Sequence, residues 1–186
     1  LVAKLNAIRD YVNAHILERE AETDSALLTV LSDQSCLLLG DAGAAKTQHI
    51  KLLAKLIGLN LFETLMSEST KPDSIFGPPD IPALAKGIQR NKIAGYAPSA
   101  ELVFFDEIFK ANGVVLNNLL WLINERIFKN GDEGTIHTPI MAVFAASNEI
   151  PTDQASRPIY DRFLIRHNVN YIKSPSNIVK MFDGIL

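Results

Sequence analysis

Cysteine is almost absent from this chain of 186 residues, which contains only Cys36. A lone cysteine excludes an internal disulfide framework and is typical of a reducing compartment, so we expect a cytoplasmic location. Because Cys36 lies in an apolar run, a buried packing thiol is favoured over a reactive one. No apolar stretch is long enough to span a bilayer, and no secretory signal is visible.

The chain also has no excess of positive charge. The formal net charge is −3 and the pI is about 5.8, which gives no general attraction to nucleic acid. One local cluster, Lys86, Arg90 and Lys92, could contact a nucleic acid, although a solvated surface is the plainer interpretation. The four histidines lack metal-ligand spacing. With 47% hydrophobic and 21% charged residues, the composition is that of an ordinary globular domain.

The most informative segment is residues 35–47, SCLLLGDAGAAKT, where an apolar run leads into a glycine-bearing loop. Gly40 and the pair Lys46-Thr47 fit the phosphate-loop pattern G-x-x-x-x-G-K-[ST], but Ala45 replaces its second glycine. In such loops the backbone N–H groups surround phosphate oxygens, the lysine contacts the outer phosphates and the threonine hydroxyl binds Mg²⁺. Alanine disfavours positive φ, so we expect Ala45 to have ordinary helical dihedral angles. The alternative is a strand-to-helix turn with an accidental lysine.

Two later apolar runs also end in polar side chains. Residues 102–107, LVFFDE, place Asp106 and Glu107 at a strand end, where Asp106 would bind the metal and Glu107 would act as general base. The alternative is that the strand simply ends in two solvated acidic residues. Residues 140–149 place Asn148 beyond another strand, where its amide could contact the γ-phosphate or orient a water molecule, or simply cap a turn.

Apolar strands alternate with helical patterns along the chain, which predicts an α/β fold with a mostly parallel sheet covered on both faces. Ligands of such sheets bind beyond the carboxyl ends of the strands, where we expect the polar residues above to converge. Helices are predicted over 2–22, 26–31, 48–57, 113–126 and briefly within 155–163; strands over 35–39, 60–66, 101–105, 140–145 and 164–169; a β-hairpin over 127–138; and a loop over 67–82 followed by a small insertion.

With these motifs in order, the sequence resembles the MoxR-type AAA+ ATPases, in the branch that also holds magnesium chelatases and MCM-like motors. The resemblance covers nearly the whole chain. It is carried by GDAGAAKT at 40–47, IFGP at 75–78, GY at 95–96, FDEI at 105–108, LL at 119–120, INER at 123–126, ASNE at 146–149 and YDRF at 160–163.

The resemblance implies a three-layer P-loop NTPase core with an insertion in its second helix, matching Ile81–Tyr96. It implies an alanine before the lysine as a usual variant, and it places Asp106 and Glu107 in Walker B, Asn148 at sensor 1 and Arg162 at the arginine finger. A surface ion pair with Asp161 is the alternative for Arg162. The nucleotide-binding residues implied are Gly40, Asp41, Ala42, Gly43, Ala44, Ala45, Lys46 and Thr47, with Thr47 and Asp106 at the metal.

By the same resemblance we expect ATP and Mg²⁺ as cofactors, ATP hydrolysis, and a homo-oligomeric ring, with a hexamer favoured. The work done would be chaperone-like remodelling of an unknown client protein or metal-cofactor insertion. A non-hydrolysing nucleotide-binding scaffold and, less favoured, a nucleic-acid motor are the alternatives. We expect residues 1–186 to form one AAA+ core domain of a longer protein. The family's C-terminal helical lid is expected to be absent, because the chain stops at Leu186 after one last strand.

Overall fold

The computed structural model describes residues 2–41, 43–154 and 156–182. Its main sheet has five strands, all parallel, in the order β2-β3-β6-β1-β7. The strands are β1 Ser35–Leu39, β2 Leu61–Leu65, β3 Leu102–Asp106, β6 Ala142–Ser147 and β7 Ile165–Asn168. The prediction of an α/β fold with a mostly parallel sheet is confirmed.

Alternating strand residues pack on opposite faces of the sheet and so build a core on each side. In β3, Leu102 and Phe104 pack with α1, α2 and α3, whereas Val103 and Phe105 pack with α6. The helices are α1 Val2–His15, α2 Glu20–Leu31, α3 Lys46–Ile57, α4 Pro72–Phe76, α5 Ile81–Leu84, α6 Gly113–Glu125, α7 Arg157–Tyr160 and α8 Pro175–Phe182. None of the helices described is long and apolar enough to cross a membrane.

The first predicted helix, over 2–22, is wrong in its extent. It ends at His15, and α2 begins at Glu20, because Glu18 adopts a left-handed conformation with φ 57° that a right-handed helix cannot contain. Two apolar residues of α6 lie on the surface, since Val114 is 64% and Trp121 42% exposed. The Trp121 ring instead lies 4.0 Å from Lys129 Nζ in a cation–π contact.

The predicted hairpin is present as β4 Ile127–Lys129 and β5 Thr135–His137, paired antiparallel. The insertion before it packs against its turn, where Gln89 and Asp132 exchange hydrogen bonds. Arg90 contributes ion pairs to Asp80, at 2.8 Å, and to Glu133. Arg90 therefore joins the insertion to the turn of the hairpin.

Candidate functional site

The loop between β1 and α3 begins at Gly40, where the sheet leaves no room for a side chain. A Cβ at Gly40 would overlap the carbonyl oxygen of Val169, so the close approach of two backbones requires glycine. Gly40 N donates to Ser147 O at 3.0 Å, which fixes the start of the loop against β6. Gly43 has φ 84°, a conformation that favours glycine. Ala42 was predicted to bind nucleotide and lies outside the described residues.

Ala45 does not have the helical dihedral angles that we expected. Its φ is 59° and its ψ is 19°, in the left-handed region, and it is the residue that precedes α3. The chain has to reverse direction between β1 and α3, and this position absorbs the reversal while the Ala45 carbonyl accepts from His49 N at 3.0 Å. For a residue with a Cβ this conformation costs about 1–2 kcal/mol.

Lys46 folds its side chain back over the loop. Nζ donates to Gly40 O at 2.5 Å and to Asp41 O at 3.0 Å, and the residue is 8% exposed. Burial lowers the pKa of Lys46, while the charges of Asp106, Glu107 and Asp41 oppose that shift. A buried ammonium group among acids and carbonyls is suited to meeting an anion that enters the loop.

Thr47 and the end of β3 meet directly. Thr47 Oγ1 donates to Asp106 Oδ2 at 3.1 Å, and Asp106 Oδ1 accepts from the backbone N–H of Glu107 at 3.0 Å. Both carboxylate oxygens of Asp106 are thereby oriented, with Oδ2 directed at the first turn of α3.

Glu107 has φ 53°, a strained conformation of the kind that clusters at functional sites. Its Oε2 is buried and forms no hydrogen bond with the described residues, although Lys110 Nζ lies 3.4 Å away as an ion pair. A buried carboxylate oxygen that accepts no hydrogen bond is free to take a proton from a bound water molecule.

A cavity of about 380 Å³ brings four predicted residues together, because Lys46, Thr47, Asp106 and Glu107 all line it. Asn148, the fifth, lines a neighbouring cavity of about 310 Å³ together with Gly40 and Asp41. The sheet register explains its place: Leu39 pairs with Ser147, so Asn148 follows β6 level with the start of the loop.

Arg126 and Arg162, which both lie in motifs that carry the resemblance, differ in their surroundings. The guanidinium of Arg126 is engaged within the chain, because it donates to the carbonyls of Ile123, Asp33 and Gln34. It thereby connects the end of α6 with the turn before β1. Arg162 is exposed after α7, and its guanidinium forms no ion pair within the described ranges, Asp161 included. It also lines neither of the two cavities described above.

A third cavity, of about 420 Å³, lies on the other side of the loop and was not predicted. Its walls are mainly apolar and come from three segments that are far apart in sequence. Ile16, Ala44 and Tyr171 each belong to one of these segments, and Arg19 also lines the cavity. Ala45 lines both this cavity and the one that holds Thr47. No local motif marks Ile16, Arg19 or Tyr171 as lining a cavity.

The oxygen atoms of Thr47 and Asp106 fit a small divalent cation. Adjacent ligands of an octahedral Mg²⁺ at about 2.0–2.1 Å from the metal are about 2.9 Å apart, close to the 3.1 Å between these two atoms. The described residues contain no group of three or more His, Cys, Asp or Glu side chains that could hold a metal alone. This suits Mg²⁺, which usually takes one or two protein oxygens, several waters and substrate phosphates.

Comparison with known proteins gives a consistent result. A family model described as the MoxR domain in the MoxR-vWA-beta-propeller ternary systems matches residues 3–183. Two uncharacterized proteins of Methanocaldococcus jannaschii, MJ0079 and MJ0812, are each 42% identical, over 97% and 96% of this chain and 48% of each relative. The structural protein ORF618 of Acidianus two-tailed virus is 38% identical over 89% of this chain and 28% of its own length.

Among solved structures, a Cytophaga hutchinsonii protein proposed to be an ATPase superposes with a TM-score of 0.76. It shares 22% identity and is matched over 97% of this chain and 55% of its own, which shows a common fold. The chain thus spans about half the length, or less, of the relatives that it matches.

Proposed function

The chain belongs to the MoxR family of AAA+ ATPases, and on this premise we propose that it binds ATP with Mg²⁺ and hydrolyses the nucleotide. The observation that carries the proposal is the single cavity lined by Lys46, Thr47, Asp106 and Glu107. A cation, two oxygen ligands for a metal and a carboxylate base are the groups that phosphoryl transfer to water requires.

In this proposal each side chain has a separate task. Lys46 leaves the carbonyls of Gly40 and Asp41 to contact the outer phosphates, and Thr47 and Asp106 hold the metal, directly or through water. Bound Mg²⁺ would supply positive charge beside the phosphate oxygens. Glu107 Oε2 takes a proton from a water molecule whose oxygen bonds to the γ-phosphorus. The bond from that phosphorus to the bridging oxygen then breaks, giving ADP and phosphate.

The 420 Å³ cavity is the proposed place for the base and sugar. It adjoins the phosphate side of the loop through Ala45, and its apolar walls suit a planar aromatic ring. Asn148 lies beside the loop start and is proposed to contact the γ-phosphate or the attacking water. Its exposed amide, which lines a cavity with Gly40 and Asp41, supports this placement.

Arg162 is proposed to act on the nucleotide of a neighbouring subunit in a ring. Its support is the exposure of the guanidinium and its place outside the cavities around the chain's own phosphate loop. An arginine supplied in this way stabilises the charge of the transferring phosphoryl group and raises the rate by roughly 10³–10⁵. We favour a ring of six subunits, because the chain resembles the family.

The energy released would drive remodelling of a client protein or insertion of a metal cofactor. The family model takes its description from ternary systems with vWA and β-propeller components, so proteins of these two types are the partners we propose. A nucleic-acid motor is less favoured, because Arg90, the centre of the one basic cluster, is already paired with Asp80 and Glu133.

Steady-state phosphate release by the full-length protein tests this function and separates it from a non-hydrolysing scaffold. We expect release that requires Mg²⁺ and disappears in Lys46→Ala. Tight ATP binding without any release would favour the scaffold, and release that Lys46→Ala leaves unchanged would remove the proposed site.

A further inference from the structure

Arg19 connects the phosphate loop with the chain that follows β7. Its guanidinium donates from Nε and Nη2 to the carbonyl of Ala44, at 3.4 and 3.3 Å, and from Nη2 to the carbonyl of Asn170 at 2.5 Å. The residue is 4% exposed, and Glu22 Oε1 lies 4.0 Å from Nη1 as its counter-charge. One buried side chain therefore bridges two segments that are far apart in sequence.

Glu18, the preceding residue, holds the beginning of α8. Its Oε2 accepts from Lys173 N at 2.8 Å, and its Oε1 accepts from Ser174 N and Asn177 Nδ2, each at 2.9 Å. These hydrogen bonds lower the pKa of Glu18 and keep its carboxylate charged at the positive end of the helix. The left-handed backbone of Glu18 turns the two side chains toward different partners.

The backbone of Arg19 is fixed from the side of α3 as well. Thr23 Oγ1 donates to Arg19 O at 2.7 Å and lies 3.0 Å from His49 Nε2, in the helix that starts at the phosphate loop. Because the single hydroxyl proton of Thr23 is directed at Arg19 O, His49 Nε2 carries the proton of the second bond. Movement of α3 relative to Arg19 would break this buried chain.

We propose that Glu18 and Arg19 form a clasp through which ligand occupancy of the 420 Å³ cavity and the position of residues 170–177 influence each other. The inference rests on the proposed function. Arg19 is a positioning residue in this scheme: it fixes the Ala44 carbonyl and, through Asn170, the neighbouring wall at Tyr171. A nucleotide seated between Ile16, Ala44 and Tyr171 would touch all three segments that the clasp joins.

Two conservative variants of the full-length protein test the clasp. Arg19→Lys keeps a positive charge opposite Glu22, but a single ammonium group cannot reproduce the fork that spans two carbonyls. Glu18→Gln keeps the shape of the side chain while placing an N–H₂ group against backbone donors. Glu18 lines none of the three cavities described above, which makes it the sharper variant. The matched control is Glu20→Gln, on the exposed neighbour.

The first readout is amide hydrogen exchange over residues 170–177 with and without ATP, and the second is the dissociation constant for ATP. In the wild type we expect ATP to slow exchange at Lys173 and Ser174. Glu18→Gln should still bind ATP but lose that slowing, and Arg19→Lys should bind ATP about tenfold more weakly, in the usual range of coupling between sites. Glu20→Gln should match the wild type in both.

If Glu18 had a merely structural role, Glu18→Gln would exchange faster by the same factor with and without ATP, and ATP would still slow its exchange. That result would overturn the clasp. So would ATP binding by the wild type without any slowing at residues 170–177. In both cases the proposed function would stand. If the wild-type protein did not bind ATP, both proposals would fall together. Should Arg19→Lys fail to fold, as shown by loss of a cooperative thermal transition, the exchange measurement on Glu18→Gln decides alone.

Discussion

Thr47 Oγ1 donates a hydrogen bond of 3.1 Å to Asp106 Oδ2, and this bond joins the first turn of α3 to the carboxyl end of β3. The two residues are 59 positions apart in sequence, and the parallel sheet brings their elements to one edge. The contact places two oxygen atoms side by side, in a cavity whose only charged amine among the described residues is that of Lys46.

The hydroxyl of Thr47 is predicted to matter through the metal. Thr47→Val removes the oxygen and keeps the shape, so we expect the Mg²⁺-dependent part of ATP affinity to fall about 10–100-fold. Thr47→Ser keeps the hydroxyl and serves as the matched control. Calorimetric titrations with ATP, in Mg²⁺ and in EDTA, measure the effect. Equal affinities of Thr47→Val and the wild type in Mg²⁺ would remove Thr47 as a ligand.

Glu107 is predicted to be required for hydrolysis and dispensable for binding. Glu107→Gln keeps the size of the side chain but cannot take a proton, so phosphate release should fall by about 10²–10⁴-fold while ATP still binds. Phosphate release and nucleotide titration on the same preparation measure both. Glu125→Gln, at an exposed carboxylate of α6, should leave both unchanged. Undiminished release by Glu107→Gln would exclude Glu107 as the base.

Ala45 is predicted to be a strained position that glycine relieves. Ala45→Gly should raise the free energy of unfolding by about 1 kcal/mol, because the left-handed conformation costs alanine about 1–2 kcal/mol and the added freedom of the unfolded chain takes back part of the gain. Urea denaturation measures it. Ala44→Gly, next to it but without positive φ, should be destabilising instead, since it removes a buried methyl group. A loss of stability in Ala45→Gly would contradict the conformation described.

His49 is predicted to make stability depend on pH. Burial, with the nearby charges of Arg19 and His167, lowers the pKa of His49 from 6.5 to about 4. Between these values the unfolded chain binds a proton that the folded chain does not. The contribution of His49 to the free energy of unfolding is therefore fully present above pH 6.5. It is lost as the pH falls toward 4, by about 3 kcal/mol.

Urea denaturation of the wild type and of His49→Gln between pH 4 and 7.5 measures this contribution. The variant should lose the part of the pH dependence that His49 supplies. Parallel curves for the two proteins over that range would mean that His49 titrates normally in the folded state.

Arg162 is predicted to act between subunits. Arg162→Ala should keep ATP binding and lose most of the ATPase activity, by about 10³-fold. Mixing it with Lys46→Ala should restore part of the activity, because some interfaces then combine an intact loop with an intact arginine. Arg157→Ala, at another exposed arginine of the same region, is the control. A full-length protein that stays monomeric in sedimentation with ATP and Mg²⁺ would contradict the ring.

The sequence was sufficient to predict the sheet and the four residues that line one cavity, because apolar runs and the motifs that follow them are local signals. The dihedral angles of Ala45 were missed, since the path from β1 into α3 is set by packing rather than by the preference of alanine. The break at Glu18 was missed because the apolar spacing of α1 runs on to Ile16, past the last residue of the helix at His15.

The clasp and the third cavity could not have been found from local patterns. Arg19 and Asn170 are 151 residues apart, and only the three-dimensional fold shows that one donates to the other. Ile16 and Tyr171 likewise come to line one cavity only when β7 has paired with β1.

The most direct measurement is a crystal structure of the full-length protein with Mg²⁺ and a non-hydrolysable ATP analogue. We predict the outer phosphates within hydrogen-bond distance of Lys46 Nζ, the metal beside Thr47 Oγ1 and the Asp106 carboxylate, and the base between Ile16 and Tyr171. A nucleotide bound elsewhere, or bound here while Thr47 remained hydrogen-bonded to Asp106 with no metal beside them, would contradict the account.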